Sequence, residues 1–122
     1  MDSILTSIKK LLGITEEYEH FDMDLIIHIN SVFMVLNQLG IGPEEGFSIT
    51  GKNETWDQFL TNPTQIDLAK SYVYLKTKLL FDPPLSSAVI EAINRQIAEF
   101  EWRLNVAVDP GSKNNTEGGD QP

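Results

Sequence analysis

The chain has 122 residues, 41% of them hydrophobic and 22% charged, which supplies apolar material for one compact domain and too little for two. It contains no cysteine, which excludes thiol nucleophiles, disulfide scaffolds and cysteine-based zinc or iron–sulfur sites. A formal net charge of -9 leaves few cations to neutralise a polyanion, so general nucleic-acid binding is disfavoured.

The charge is unevenly spread. Residues 1–62 carry ten acids against three bases, residues 63–108 carry five of each, and residues 109–122 carry three against one. The acids are densest at Glu16, Glu17, Glu19, Asp22 and Asp24, where no Lys or Arg intervenes, so this stretch belongs in water or against a basic partner. The most apolar run, Leu25 to Leu36, is broken by His28, Asn30 and Ser31 and is far short of the roughly 20 residues that span a bilayer. No membrane partner is expected. Asp2 precedes the first apolar residues and Lys9 and Lys10 follow them, the reverse of a signal peptide, so the protein is expected to act where it is made.

In chain order, Asp2 or Ser3 caps a first helix in which Ile4, Leu5, Ile8, Leu11 and Leu12 recur at three-to-four spacing, with Lys9 and Lys10 opposite and Gly13 as the stop. A second helix starts at Asp22 or Asp24 and ends at Gly40; its buried stripe is Leu25, Ile29, Val32, Phe33, Leu36 and Leu39. Ile26, Ile27, Met34 and Val35 widen that stripe, so the helix is expected to be covered on more than one side.

From Gly40 to Asn53 the helical pattern gives way to a loop punctuated by Gly40, Gly42, Pro43, Gly46 and Gly51, whose only strand-like run is Phe47 to Thr50. Such a loop is functional or mobile, or a short hairpin that pairs with a neighbouring chain. Thr55 and Gln58 have capping-box spacing and open a short helix with Trp56, Phe59 and Leu60. Asn62 and Pro63 start a longer helix carrying Ile66, Ala69, Tyr72 or Val73, Lys76, Leu79 and Leu80, which Pro83 and Pro84 end. Ser86 or Ser87 caps the last helix, where Val89, Ile93, Ile97, Phe100 and Leu104 step by four or three residues. The core is therefore assigned to Leu25, Ile29, Val32, Leu36, Tyr72, Leu79, Ile93, Ile97, Phe100 and Leu104. Trp102 falls off that stripe, so its ring either caps the core edge or faces a partner. The prediction is an all-α bundle of about five helices over residues 1–108, followed by an acidic tail, 109–122, whose composition cannot bury apolar surface and predicts disorder.

Enzymatic patterns are weak. Glu16, His20, Asp24 and His28 share a helical face only if one helix runs through all four, and the acid-rich stretch before Asp22 reads as a linker, so no metal site is assigned. There is no Gly-x-Ser-x-Gly elbow, and Gly40-Ile41-Gly42 follows a helix and lacks a third glycine, so it reads as a helix stop and not a phosphate loop. No catalytic residue and no cofactor is expected.

The runs from Tyr72 to Pro84 (YVYLKTKLLFDPP) and from Glu99 to Asn105 (EFEWRLN) resemble the small head–tail connector, or adaptor, proteins of long-tailed bacteriophages. The order of features over residues 1–108 is also similar: a short leading helix, a helix ending in Leu-Gly, a glycine-rich loop, a helix running into Phe-Asp-Pro-Pro, and a Glu-rich last helix. The resemblance implies a non-enzymatic virion protein, made in the host cytoplasm. It implies a ring homo-oligomer under the portal protein, joined to a stopper or tail-completion protein, with DNA passing through and not specifically bound. By that resemblance Trp102, Arg103, Asn105 and Asp109 are candidate contacts to the portal or a neighbouring copy, and Gly42, Glu44, Glu45, Phe47 and Lys52 are candidates for a loop facing the tail or the channel. The competing reading is an acidic helical inhibitor that masks a basic partner by imitating DNA charge; it asks for carboxylates spread over one surface, whereas the neutral second half carries the motifs.

Overall fold

A computed structural model describes residues 2–108. Asp109 and the rest of the 109–122 tail, with its predicted disorder, lie outside the described residues. The chain is all-α, with helices α1 (Ile4–Leu12), α2 (Asp22–Gln38), α3 (Trp56–Phe59), α4 (Pro63–Phe81) and α5 (Ser87–Val108). No strand forms among the described residues; the only β-type pairing is an isolated bridge between Ser3 and Thr55.

Local chemistry sets the ends of these helices. The Ser3 hydroxyl accepts from the Thr6 backbone N–H at 3.2 Å, and Gly13 closes α1 at a φ of 84°, where a side chain is disfavoured. The Thr55–Gln58 capping box is present, and the Asn62 side chain accepts from the N–H groups of Thr64 and Gln65 ahead of Pro63. The side chain of Ser86, not Ser87, takes the Val89 N–H at 3.4 Å.

α4 is the central helix: α1, α2, α3 and α5 all pack on it. Ile66, Ala69, Tyr72 and Val73 of α4 are buried against Leu25, Ile29, Val32, Phe33 and Leu36 of α2, Ile4, Leu5 and Ile8 of α1, and Ile93, Ile97 and Leu104 of α5. Two assigned core residues, Leu79 and Phe100, are only partly buried at the edge of this cluster. The α4 stripe closes instead on Thr77, which is buried, while Leu80 is exposed. Val89 is also exposed, so the α5 stripe does its packing from Ile93 onwards.

Lys9 is the largest departure from the sequence pattern. It does not face water opposite the apolar stripe: it is 1% exposed. Its ammonium reaches Asp22 Oδ1 at 2.8 Å and donates to the carbonyls of Glu16 (3.0 Å) and Tyr18 (2.7 Å). Residues 13–21 are turns and coil, and they wrap over α1 so that this lysine becomes interior. The turn arrangement also dissolves the Glu16–His20–Asp24–His28 face. His20 instead stacks edge-on with Phe21, whose ring meets Phe81 at 5.2 Å.

The expectation that α2 is covered on several sides is corrected as well. Ile26 and Val35 are partly buried, but Met23, Ile27 and Met34 stand in solvent, since α4 and α1 approach from the opposite side.

Candidate functional site

Two surfaces hold the residues singled out from the sequence. The first is the outer face of α5. The side chains of Ile93, Ile97 and Leu104 turn inward, so Trp102 points away from the core and is 67% exposed. The ring does not cap the core edge and is open to solvent in the single chain. Arg103 is exposed and paired with Glu99 Oε2 at 2.6 Å, and Asn105 is half-buried. This end of α5 is fixed to the core by the buried Leu104 and by Tyr72, whose phenol donates to Glu101 Oε2 at 2.8 Å. Burial, then the hydrogen bond and charge of Glu101, push the Tyr72 phenol well above its ordinary range, so it stays a neutral donor.

The second surface is the connection from Gly40 to Glu54. It is tethered to α2, and no hairpin forms. Asn30 of α2 donates from Nδ2 to the Ile49 carbonyl (2.9 Å) and accepts the Ile49 N–H on Oδ1 (2.7 Å), so one side chain supplies the two bonds a neighbouring strand would give. Asn37 Nδ2 lies 3.2 Å from the Pro43 carbonyl. Ile41 and Ile49 are buried. Glu54 gathers the Thr50 N–H (3.0 Å), the Thr50 hydroxyl (2.8 Å) and the Gly51 N–H (3.4 Å). Slight burial opposes its charge, but these hydrogen bonds outweigh it and hold the carboxyl below its usual value.

The residues proposed for this loop take different roles. Glu44 and Glu45 are exposed at its tip. Lys52 is exposed and lies 3.9 Å from Glu19. Phe47 is not a free loop residue: its ring packs edge-on against Phe33 at 5.2 Å and lies against Phe59 at 5.3 Å. Gly42 is structural, with a φ of 90° and a backbone so close to Phe59 that a Cβ would lie 2.3 Å from its ring. The structure therefore leaves the carboxylates, Lys52 and the α5 end available to a partner and commits Gly42 and Phe47 to packing.

Sequence reasoning missed the outer face of α2 as a site. Met23, Ile27 and Met34 form one exposed apolar line, and Met34 continues into a groove of about 410 Å³ lined by Asn30, Phe33, Asn37 and Phe47. The excess of apolar residues over a single buried stripe was the signal that could have found it. Among the described residues no group of three or more His, Asp or Glu side chains is placed to hold a metal, and no helix is long and apolar enough to cross a membrane.

These surfaces are suited to protein contact and contain no constellation of reacting groups. The family model described as phage connector protein matches residues 4–111, nearly the whole chain. The chain belongs to this family. No curated protein and no solved structure matches it. As a phage connector it is a structural component of the virion, of a family that is not one of enzymes. All five helices of the connector fall inside the matched span, so family membership concerns the whole bundle and not one motif.

Proposed function

We propose that this connector forms a ring under the portal protein and joins the DNA-filled head to the tail through a stopper or tail-completion protein. The family match over residues 4–111 carries the reading. Its physical support is a bundle with exposed apolar residues on separate helices, as a ring protomer requires, and a surplus of carboxylates that would repel phosphates and let DNA slide through the ring without binding. In this reading residues 1–108 are the connector domain, and the 109–122 tail with Arg103 and Asn105 at the end of α5 meets the portal. Glu44, Glu45 and Lys52 face the tail side or the channel.

The test is electron microscopy of particles made by the phage that carries this gene, with the gene deleted and then supplied in trans. Separate heads and detached finished tails, rescued by complementation, are expected. Intact infectious particles without the protein would refute the joining role and favour a soluble acidic inhibitor. Removing only residues 109–122 is expected to leave the helical signal unchanged and weaken joining.

A further inference from the structure

Among the exposed apolar residues, those on the outer faces of α2 and α5 include a line of three on α2 and the indole of Trp102 on α5. On α2, Met23, Ile27 and Met34 are 71%, 61% and 63% exposed and fall on one line down the helix, opposite the buried Leu25, Ile29 and Leu36. On α5, Trp102 stands on the side turned from the core, and Arg95, two turns earlier at i-7, shares that side. α4 packs against both helices, and a groove floored by Leu79 and Leu80 separates them. The two helices border that groove without packing on each other, and the exposed sides that carry Met34 and Trp102 are turned away from it.

Their chemistry is complementary. Trp and Arg are the side chains that most often dominate a protein contact, and a flexible thioether surface is a good receiver for an indole. The α2 face supplies two methionines, and the groove beside Met34, walled by Phe33 and Phe47, is large enough for an indole ring. The α5 face carries one unpaired cation, beside the exposed Glu91 one turn earlier. Arg103 is neutralised by Glu99, but the Arg95 guanidinium is exposed and has no ion pair or hydrogen bond among the described residues. The α2 face is bordered by two exposed carboxylates, Asp24 on the helix and Glu45 at the rim of the groove, and α2 carries no Lys or Arg.

We infer that the α5 face of one copy, led by Trp102 and Arg95, docks on the α2 face of a second copy, with the indole against Met34 and the guanidinium, about 10 Å along the helix, toward Asp24. Because the two faces differ, the contact is head-to-tail: every bound copy leaves one face of each kind free, so the assembly grows until it closes into a ring. This rests on the reading that copies of the chain assemble beneath the portal, and it assigns Trp102 to the neighbouring copy.

The absence of native cysteine makes the test direct. Ser48→Cys, at the rim of the groove beside Met34, and Ala98→Cys place one thiol on each face at exposed positions outside the proposed anchors. Particles carrying both, treated with a bis-maleimide, are expected to give a ladder of covalent multimers, while either single variant stays monomeric. Dimers from a single variant, or joined particles without a ladder from the double one, would overturn the contact and leave the connector role standing. Independently, Arg95→Glu is expected to lower the yield of joined particles about tenfold, and adding Asp24→Lys to restore it to within about threefold. No loss, or loss without rescue, counts against the contact. If deletion of the gene leaves particles intact, the joining role falls and the contact falls with it.

Discussion

Replacing Lys9 by Met tests whether the wrap of residues 13–21 over α1 stabilises the fold. Methionine keeps most of the apolar stem and removes the ammonium, which leaves Asp22 without its cation and the Glu16 and Tyr18 carbonyls without their donor. Breaking a buried ion pair from one side costs about 3–5 kcal/mol. The Asp22 side chain keeps 19% exposure, and Glu16 and Tyr18 are exposed enough for water to replace the lost bonds, so the low end applies, about 3 kcal/mol. For a domain of this size that lowers Tm by about 10–15 °C. The assay is urea unfolding followed by far-ultraviolet circular dichroism, with Asp22→Asn and the Lys9→Met/Asp22→Asn pair completing a cycle. The double variant is expected to be less destabilised than the sum of the singles. A loss below about 1 kcal/mol for Lys9→Met, or strict additivity, would refute the clamp.

Three further outcomes follow from the same geometry. Gly42→Ala combines a positive φ with a Cβ driven into the Phe59 ring and is expected to cost about 2–4 kcal/mol, whereas Gly13→Ala, at a similar φ in open space, is expected to cost about 1 kcal/mol; equal losses in urea unfolding would contradict the packing role of Gly42. The Tyr72 phenol, raised from an ordinary value of 10.0, contributes stability that is complete below that pH and lost above it. In an alkaline ultraviolet titration, Tyr72→Phe should therefore leave the tyrosinate signal before unfolding unchanged; a fall by one tyrosine's share of the three would show that Tyr72 ionises in the folded state. Glu54 is held below its ordinary 4.5, so its stabilisation is present above that pH and lost as the pH falls through the lowered value. Glu54→Gln is expected to be less stable than the parent at pH 7, with the difference shrinking as the pH falls below 4.5; a difference that stays constant into acid would point to another cause.

The helices were legible because their signals are local. Ser3, Gly13, the Thr55–Gln58 pair, Asn62 with Pro63, and Ser86 each act within a few residues, and each sits where the spacing placed it. What escaped depends on distant chain. Nothing in α1 itself marks Lys9 for burial, since the atoms that receive its ammonium lie in the loop and at Asp22. The extended run before Thr50 looked like a strand in search of a partner, and its partner was the Asn30 side chain, 19 residues earlier. Periodicity placed Trp102 off the α5 stripe but could not choose between capping the core edge and facing a partner; its exposure depended on how α5 rolls against α4. The connector family was readable from two short runs and the order of helices, and the α2 face was half readable, as apolar residues in excess of what one stripe can bury.

The anchoring of α5 is strongest in its later turns. Its first turn carries an exposed Val89 behind the Pro83–Pro84 turn, while its later turns hold the fully buried Leu104 and the Tyr72–Glu101 bond. Helices ordinarily fray where the domain runs out. Here opening is expected to begin at the hairpin between α4 and α5 and to reach the residue 104 region last. A load applied at the far end of α5 would thus pull first on the molecule's centre, through Tyr72 of the central helix, and a component gripping that end would hold the whole bundle and not a peeling strand of it.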